Sequence, residues 1–366
     1  MKHRITFSLI VTIVLIFNAA AMAQDDITPY PGGSGAYTQL VWNDEFDTDG
    51  FPDTGKWRYH TGFGYNNELH YNTQQRAENI GISNGILTIT ARKDNAMIDG
   101  AVREITSASI YTQYKADWKY GRIEVKAKMP EPVKGAWPAI WMMPTQQVYG
   151  YWPNSGEIDI MEFIGYSPEK IHFTLHSYNS NHTGSGGLTS SAQSPNLSTK
   201  FHIYAVEWFP DRIDWYFDNQ KKFTVTNPNT DWHDWPFDQY FYIILNLAFG
   251  GSWGGAMGVE PDKLPAEYQV DYVRVFQAKG NAITNTKQEE TKIQISSFGE
   301  INLTSDKVVP VKIELINLQG QIMEGIFSGN IQPGRNTFNI NPKYKGLFLL
   351  SVTANGNRSV SKIILS

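Results

Sequence analysis

Glu157, Asp159 and Glu162 stand close together in the otherwise apolar, β-prone run Gly156-Glu157-Ile158-Asp159-Ile160-Met161-Glu162-Phe163. Strand side chains alternate faces, so Glu157 and Asp159 share one face while Glu162 falls on the other. There it would join Ile158 and Ile160 as a buried, unpaired charge, which is costly. A β-bulge that absorbs one residue around Ile160-Met161 brings all three acids to one face, and the sequence therefore predicts one. Acids so placed suit glycoside hydrolysis. A retaining mechanism needs two carboxyl groups about 5–5.5 Å apart, one as nucleophile and one as general acid/base. With the bulge, the α-carbons of Glu157 and Glu162 are roughly 13 Å apart, a gap that two glutamates leaning together on a curved strand can close. Asp159 between them can decide which carboxyl holds a proton, because crowded like charges split their pKa values. An acidic calcium cluster or a solvated strand face is the alternative use of such a segment.

Upstream, Gly135-Ala-Trp137-Pro-Ala-Ile-Trp141-Met-Met-Pro144 carries two tryptophans four apart, on one face of a regular strand. Indoles offer large rigid surfaces with a polar N–H, suited to the flat C–H faces of sugar rings. Trp253 sits in the glycine loop Gly250-Gly-Ser-Trp-Gly-Gly255 and is a further candidate substrate contact, whereas Trp118 and Trp152 divide evenly between core and cleft. Of the eight histidines, His176 follows a strand soon after the acids and can serve a sugar hydroxyl, the nucleophile's surroundings or the core. No His-x-x-His or His-Glu-x-x-His pattern exists, which argues against a catalytic zinc.

The elements that must hold these residues read as strands. Gly121 to Met129 alternates, with Ile123, Val125, Ala127 and Met129 inward and charges outward. Phe201 to Trp208 and Ile213 to Phe217 flank a hairpin signal at Phe209-Pro-Asp-Arg212. Tyr240 to Phe249 is nearly all apolar, as for a strand covered on both faces, and Gln269 to Phe276 closes the region. No segment keeps a helical period, so a β-sandwich or jelly roll is expected.

All eleven tryptophans lie between Trp42 and Trp253, a compositional shift that separates two domains. The reading is a leader over 1–23, a large domain over 24–277, a polar linker over 278–292 and a small β-sandwich over 293–366. The leader combines Lys2 and Arg4, an apolar run from Ile5 to Phe17 and the small-x-small site Ala21-Met22-Ala23, so export is expected. Cysteine is absent, which removes disulfides and thiolate chemistry. A net charge of −5 without a basic run or phosphate loop makes nucleic acid an unsuitable partner.

At these residues the chain resembles family 16 glycoside hydrolases, in particular bacterial laminarinases, the endo-1,3-β-glucanases. The resemblance covers nearly the whole large domain. It rests on Trp42-Asn-Asp-Glu-Phe46, Tyr65-Asn-Asn-Glu-Leu-His-Tyr71, Trp118-Lys-Tyr-Gly-Arg-Ile-Glu124, Trp137-Pro-Ala-Ile-Trp141, Ser155-Gly-Glu-Ile-Asp-Ile-Met-Glu162, Trp235-Pro-Phe-Asp238 and Val270-Asp-Tyr-Val-Arg-Val275. It implies an all-β, concanavalin-like jelly-roll sandwich with a concave substrate cleft and a retaining mechanism. Glu157 would be the nucleophile, Glu162 the acid/base and Asp159 the residue tuning the nucleophile. Asn67, Trp137, Trp141, His176 and Trp253 match positions lining the glucan cleft. The resemblance implies no catalytic cofactor, but a structural calcium at positions matching Glu45, the Gly85 carbonyl and Asp271; oxygen ligands suit that ion.

One departure concerns specificity. Where laminarinases commonly carry an arginine, this chain reads Thr106-Ser-Ala-Ser109-Ile110, and serine has neither the reach nor the charge of a guanidinium. The tail segments Gly346-Leu-Phe-Leu-Leu-Ser-Val352 and Ser361-Lys-Ile-Ile-Leu-Ser366 resemble the C-terminal sorting domain of the type IX secretion system. That implies secretion machinery as a partner and a secreted or cell-surface location. The expectation is a monomeric, secreted endo-β-1,3-glucanase acting on laminarin-type glucans. A mixed-linkage β-1,3-1,4-glucanase, an agarase of the same fold and a non-catalytic glucan-binding lectin remain as alternatives.

Overall fold

The computed structural model describes residues 27–183, 186–218, 220–278, 292–295, 300–305, 308–317, 321–341, 343–354 and 357–365. The chain divides into two compact units, Met1–Lys279 and Gly280–Ser366. The expected leader over 1–23 and nearly all of the expected linker lie outside the described residues.

The first unit is an all-β jelly-roll sandwich. Its seven-stranded sheet runs in the order Leu188–Gln193, Lys170–His176, Glu157–Phe163, Ala136–Pro144, Phe241–Phe249, Ser109–Tyr111 and Arg58–Tyr59. An eleven-stranded sheet backs it, with Gly121–Lys128 and Ala266–Gln277 paired near its middle. Phe241, Ile243, Leu245, Leu247 and Phe249 alternate along one strand and are all fully buried, as are Ile123, Val125 and Ala127 of the backing sheet. Each of these side chains larger than alanine contributes about 1.5–3 kcal/mol through burial, so this shared core fixes the register of both sheets. The expected hairpin is present, with the Phe209 N–H donating to the Arg212 carbonyl at 2.8 Å.

Two strand readings need correction. Phe241–Phe249 is not covered on both faces, because Tyr242, Ile244, Asn246 and Ala248 line an open cleft. The apolar run masked the alternation, since Ile and Ala are as acceptable beside a sugar as in a core. On Gly121–Lys128 the charged face was expected to meet solvent, yet Arg122 is 1% exposed and Glu124 0%. Residues 27–37 lie across that face. The Tyr30 N–H donates to Glu124 Oε2 (3.0 Å), and the Ser34 N–H donates to both oxygens of Glu207 (3.1 and 3.0 Å). Gly33 permits the approach: a β-carbon there would lie 2.3 Å from Glu207 Oε1.

The second unit has a four-stranded sheet, ordered Ile322–Ile331, Val309–Ile316, Gly346–Ala354 and Asn357–Leu365. A three-stranded sheet of Lys292–Ile295, Glu300–Ser305 and Gly334–Asn339 accompanies it. Ile301 and Leu303 from one sheet and Ile313, Leu315 and Leu350 from the other share one apolar core.

Candidate active site

The acidic strand is bulged where the sequence demands it. Against Lys170–His176, Glu157 pairs with His176 and Asp159 with Thr174, but Glu162 pairs with His172, so the register shifts between Asp159 and Glu162. The strand Ala136–Pro144 shows the same shift from its other side, between Ile140 and Trp141. Ile158, Ile160, Met161 and Phe163 are thereby fully buried, while Glu157, Asp159 and Glu162 all line one cleft. Gly156 immediately precedes the strand with φ 81°, and a β-carbon there would lie 2.7 Å from the Phe237 ring. The cleft has a volume of about 600 Å³ and also takes in Trp137 and Trp141 from the neighbouring strand.

Among the described residues no lysine or arginine lines this cleft. Three carboxyl groups therefore share a buried site with neutral donors alone. Trp152 Nε1 donates to Glu157 Oε2 at 2.6 Å, and Trp137 Nε1 donates to Glu162 Oε1 at 3.1 Å. Thr174 Oγ1 makes a long bond of 3.5 Å to Glu162 Oε2. Burial, then the charge of Glu157, pushes Glu162 up to about 8. Burial, then the charges of Glu157 and Glu162, pushes Asp159 well above the usual carboxylate range. Glu157 is also raised by burial, but hydrogen bonds from Asp159 and Trp152 favour its ionised form. The directions set an order: in the hydrogen bond between Asp159 and Glu157 the proton is favoured on Asp159, and Glu162 is held protonated up to about 8.

Trp137 and Trp141 do share a face, and Trp141 Nε1 donates to Asn246 Oδ1 at 2.8 Å. Trp253 stands edge-on to Trp137 (5.6 Å between ring centroids) and to His172 (4.9 Å), buttressing Trp137 at the rim. His176 is the strand partner of Glu157 and stands beside the acids on the same face, with Nε2 3.4 Å from Asp159 Oδ2. Burial, then His182, lowers its pKa to about 4, so it is a neutral imidazole there. Asn67 is exposed at φ 60° and does not line the cleft; that left-handed turn presents Asn66 and Glu68 instead. Trp152 proves to be a cleft residue, and its signal in the sequence was only proximity to the acids. His70, Asn72 and Tyr242 were missed because nothing local distinguishes them from core positions.

The expected calcium ligands do not fit the ion as they are arranged. Both Glu45 oxygens are engaged by Arg274, at 2.8 and 2.7 Å, and Asp271 is paired with Lys126 at 2.5 Å. Two carboxylates already neutralised by cations leave little charge for a divalent ion. Glu157, Asp159 and His176 form the one grouping among the described residues whose donor atoms lie within 4.8 Å of one another. Its proton-holding carboxyl and its hydrogen bonds serve proton sharing better than metal binding.

A two-layer β-sandwich with an aromatic cleft over a bulged acidic strand defines a carbohydrate-cleaving class, and the comparisons agree. The model of glycosyl hydrolases family 16 matches residues 67–274, and the chain belongs to this family as a glycoside hydrolase acting on O-glycosyl bonds. The beta-glucanase of Rhodothermus marinus is 46% identical over 247 residues, spanning 65% of this chain and 85% of the relative. The X-ray structure of the laminarinase from Rhodothermus marinus matches with a TM-score of 0.62 at 45% identity, covering 66% of this chain and 97% of that one. A glutamate-to-serine variant of SCLam, a non-specific endo-β-1,3(4)-glucanase, matches with a TM-score of 0.64 at 40% identity over 68% of this chain and 98% of that one; it carries a 1,3-β-D-cellobiosyl-glucose at its active site.

Proposed function

We propose that this chain is a secreted, retaining endo-β-1,3-glucanase that hydrolyses laminarin-type glucans. The observation that carries this reading is the cleft, lined by no lysine or arginine among the described residues, in which Glu157 and Glu162 lie together and each accepts an indole N–H bond. Glu157 attacks the anomeric carbon while Glu162 delivers its proton to the departing glycosidic oxygen. Glu162, now ionised, takes a proton from water as that water releases the glycosyl group from Glu157. Asp159 holds Glu157 in its ionised form between turnovers and supports it through the hydrogen bond they share. Trp137 and Trp152 aim their N–H groups at the two glutamates and fix their orientation.

A cleft with no cation suits a neutral polymer and disfavours sulfated galactans. Ser109 in the cleft wall favours one second reading, mixed-linkage β-1,3-1,4-glucan, because an uncharged short side chain restricts ring orientation less. Export rests on the basic, apolar and small-residue pattern of the first residues and on the likeness of the tail to a type IX sorting domain. Incubation with laminarin, lichenan, agarose and carrageenan, with early sizing of products, tests the substrate. Mixed short oligosaccharides from laminarin support the proposal; products from agarose alone would overturn it.

A further inference from the structure

Among the polar side chains that line the cleft without a role in the chemistry above, His70, Asn72 and Ser109 are the buried ones. They are 2%, 3% and 6% exposed. His70 and Asn72 alternate on one short strand and so share a face. Ser109 enters from the strand Ser109–Tyr111, opposite Asn246. That strand is three places from the acidic one in the sheet, roughly 14 Å away at 4.7–4.9 Å per strand.

The hydrogen bonding fixes what this corner offers. The Phe249 backbone N–H donates to His70 Nδ1 at 3.1 Å, so Nδ1 is an acceptor and the ring proton sits on Nε2. Burial lowers the His70 pKa to about 4, which keeps the ring neutral at working pH. Asn72 Oδ1 lies near enough to favour a proton on His70, yet it is buried with no hydrogen bond of acceptable geometry. A buried acceptor left unpaired on a cavity wall is costly, and native structures fill such positions. The group that fits between an N–H donor and a carbonyl acceptor is a hydroxyl, which accepts from one and donates to the other.

We propose that His70, Asn72 and Ser109 form a neutral polar recess that takes one hydroxyl of a sugar ring bound away from the scissile bond, and that this recess ranks neutral glucans by the ring it admits. The proposal rests on the glucanase reading. Ser109 supplies room and a third hydrogen-bonding atom where a long cation would fill the corner.

The test uses the full chain carrying Glu157→Gln, which stops turnover, and measures by calorimetry the binding of β-1,3-gluco-oligosaccharides of increasing length. Adding Asn72→Leu should leave the shortest ligands unaffected and weaken binding about tenfold once the ligand reaches the recess. Ser109→Val, which fills the corner without altering strand pairing, should repeat that pattern and serves if Asn72→Leu fails to fold. Unchanged affinity at every length would overturn the recess, leaving the pair to an ordered water. An equal loss at every length would also overturn it, as a general distortion. Turnover of laminarin by the unaltered protein reads the glucanase assignment separately; if another neutral glycan is cleaved instead, the same length series with its oligosaccharides reads the recess.

Discussion

Two regions of the sandwich bury carboxylates, and they treat them oppositely. On the backing sheet, Glu124 and Glu207 are 0% and 1% exposed, and Arg122 lies between them, 2.9 Å from one and 3.4 Å from the other. Tyr272 and Tyr216 hydroxyls donate to the same carboxylates at 2.9 and 3.0 Å, and the backbone of residues 27–37 supplies the remaining N–H groups. In the cleft, Glu157, Asp159 and Glu162 receive only indole, hydroxyl and shared-proton bonds. A buried acid given a cation and enough donors becomes a structural anchor; one denied a cation must hold a proton. That held proton is what the proposed mechanism uses.

The contrast is broken most severely by Glu157→Gln. Loss of the proposed nucleophile should lower kcat/KM about 10⁵-fold while leaving the melting temperature unchanged or higher, since one of three crowded acids is gone. Glu162→Gln should cost about 10²–10⁴-fold in kcat on unactivated glucan. Activity of the unaltered protein should fall as pH rises through about 8, where Glu162 loses its proton, and this alkaline limb should vanish in Glu162→Gln. Stability follows the same sign. A carboxyl whose folded pKa is raised favours folding below its unfolded value near 4.5, and that contribution is lost as pH rises toward 8. Urea melts across this window should show stability falling as pH rises, less steeply in Glu162→Gln.

The anchor should respond in the opposite currency. Arg122→Met leaves two buried carboxylates without their cation and should destabilise the fold by about 3–5 kcal/mol in urea melts, with kcat unchanged at temperatures where the protein is folded. The smallest effect sharpens the comparison within the cleft. Trp152→Phe removes the 2.6 Å bond to Glu157 and should lower kcat about tenfold while moving the acidic limb of the pH profile upward.

Much of the site was legible because it rests on period and cost. The alternation of the acidic strand left Glu162 on the wrong face, and only a bulge repairs that, so a long-range register shift could be read from a short segment. The Trp137 and Trp141 pairing followed from the same period. What stayed hidden depends on neighbours distant in sequence. Arg122 and Glu124 look like a solvated strand face until residues 27–37 are seen to cover them. His70 and Asn72 reach the cleft through a parallel pairing with Ile105–Ser107 that no local pattern announces. Asn67 was placed in the cleft by likeness, but its left-handed backbone turns it outward.

The central claim is that Glu157 attacks carbon while Glu162 supplies the proton, and the stereochemistry of the first product tests it most directly. Proton NMR of laminari-oligosaccharide cleavage, followed from the first minutes before mutarotation, should show the β-anomer appearing first. Initial release of the α-anomer would mean a single displacement by water and would contradict the assignment of Glu157 as nucleophile.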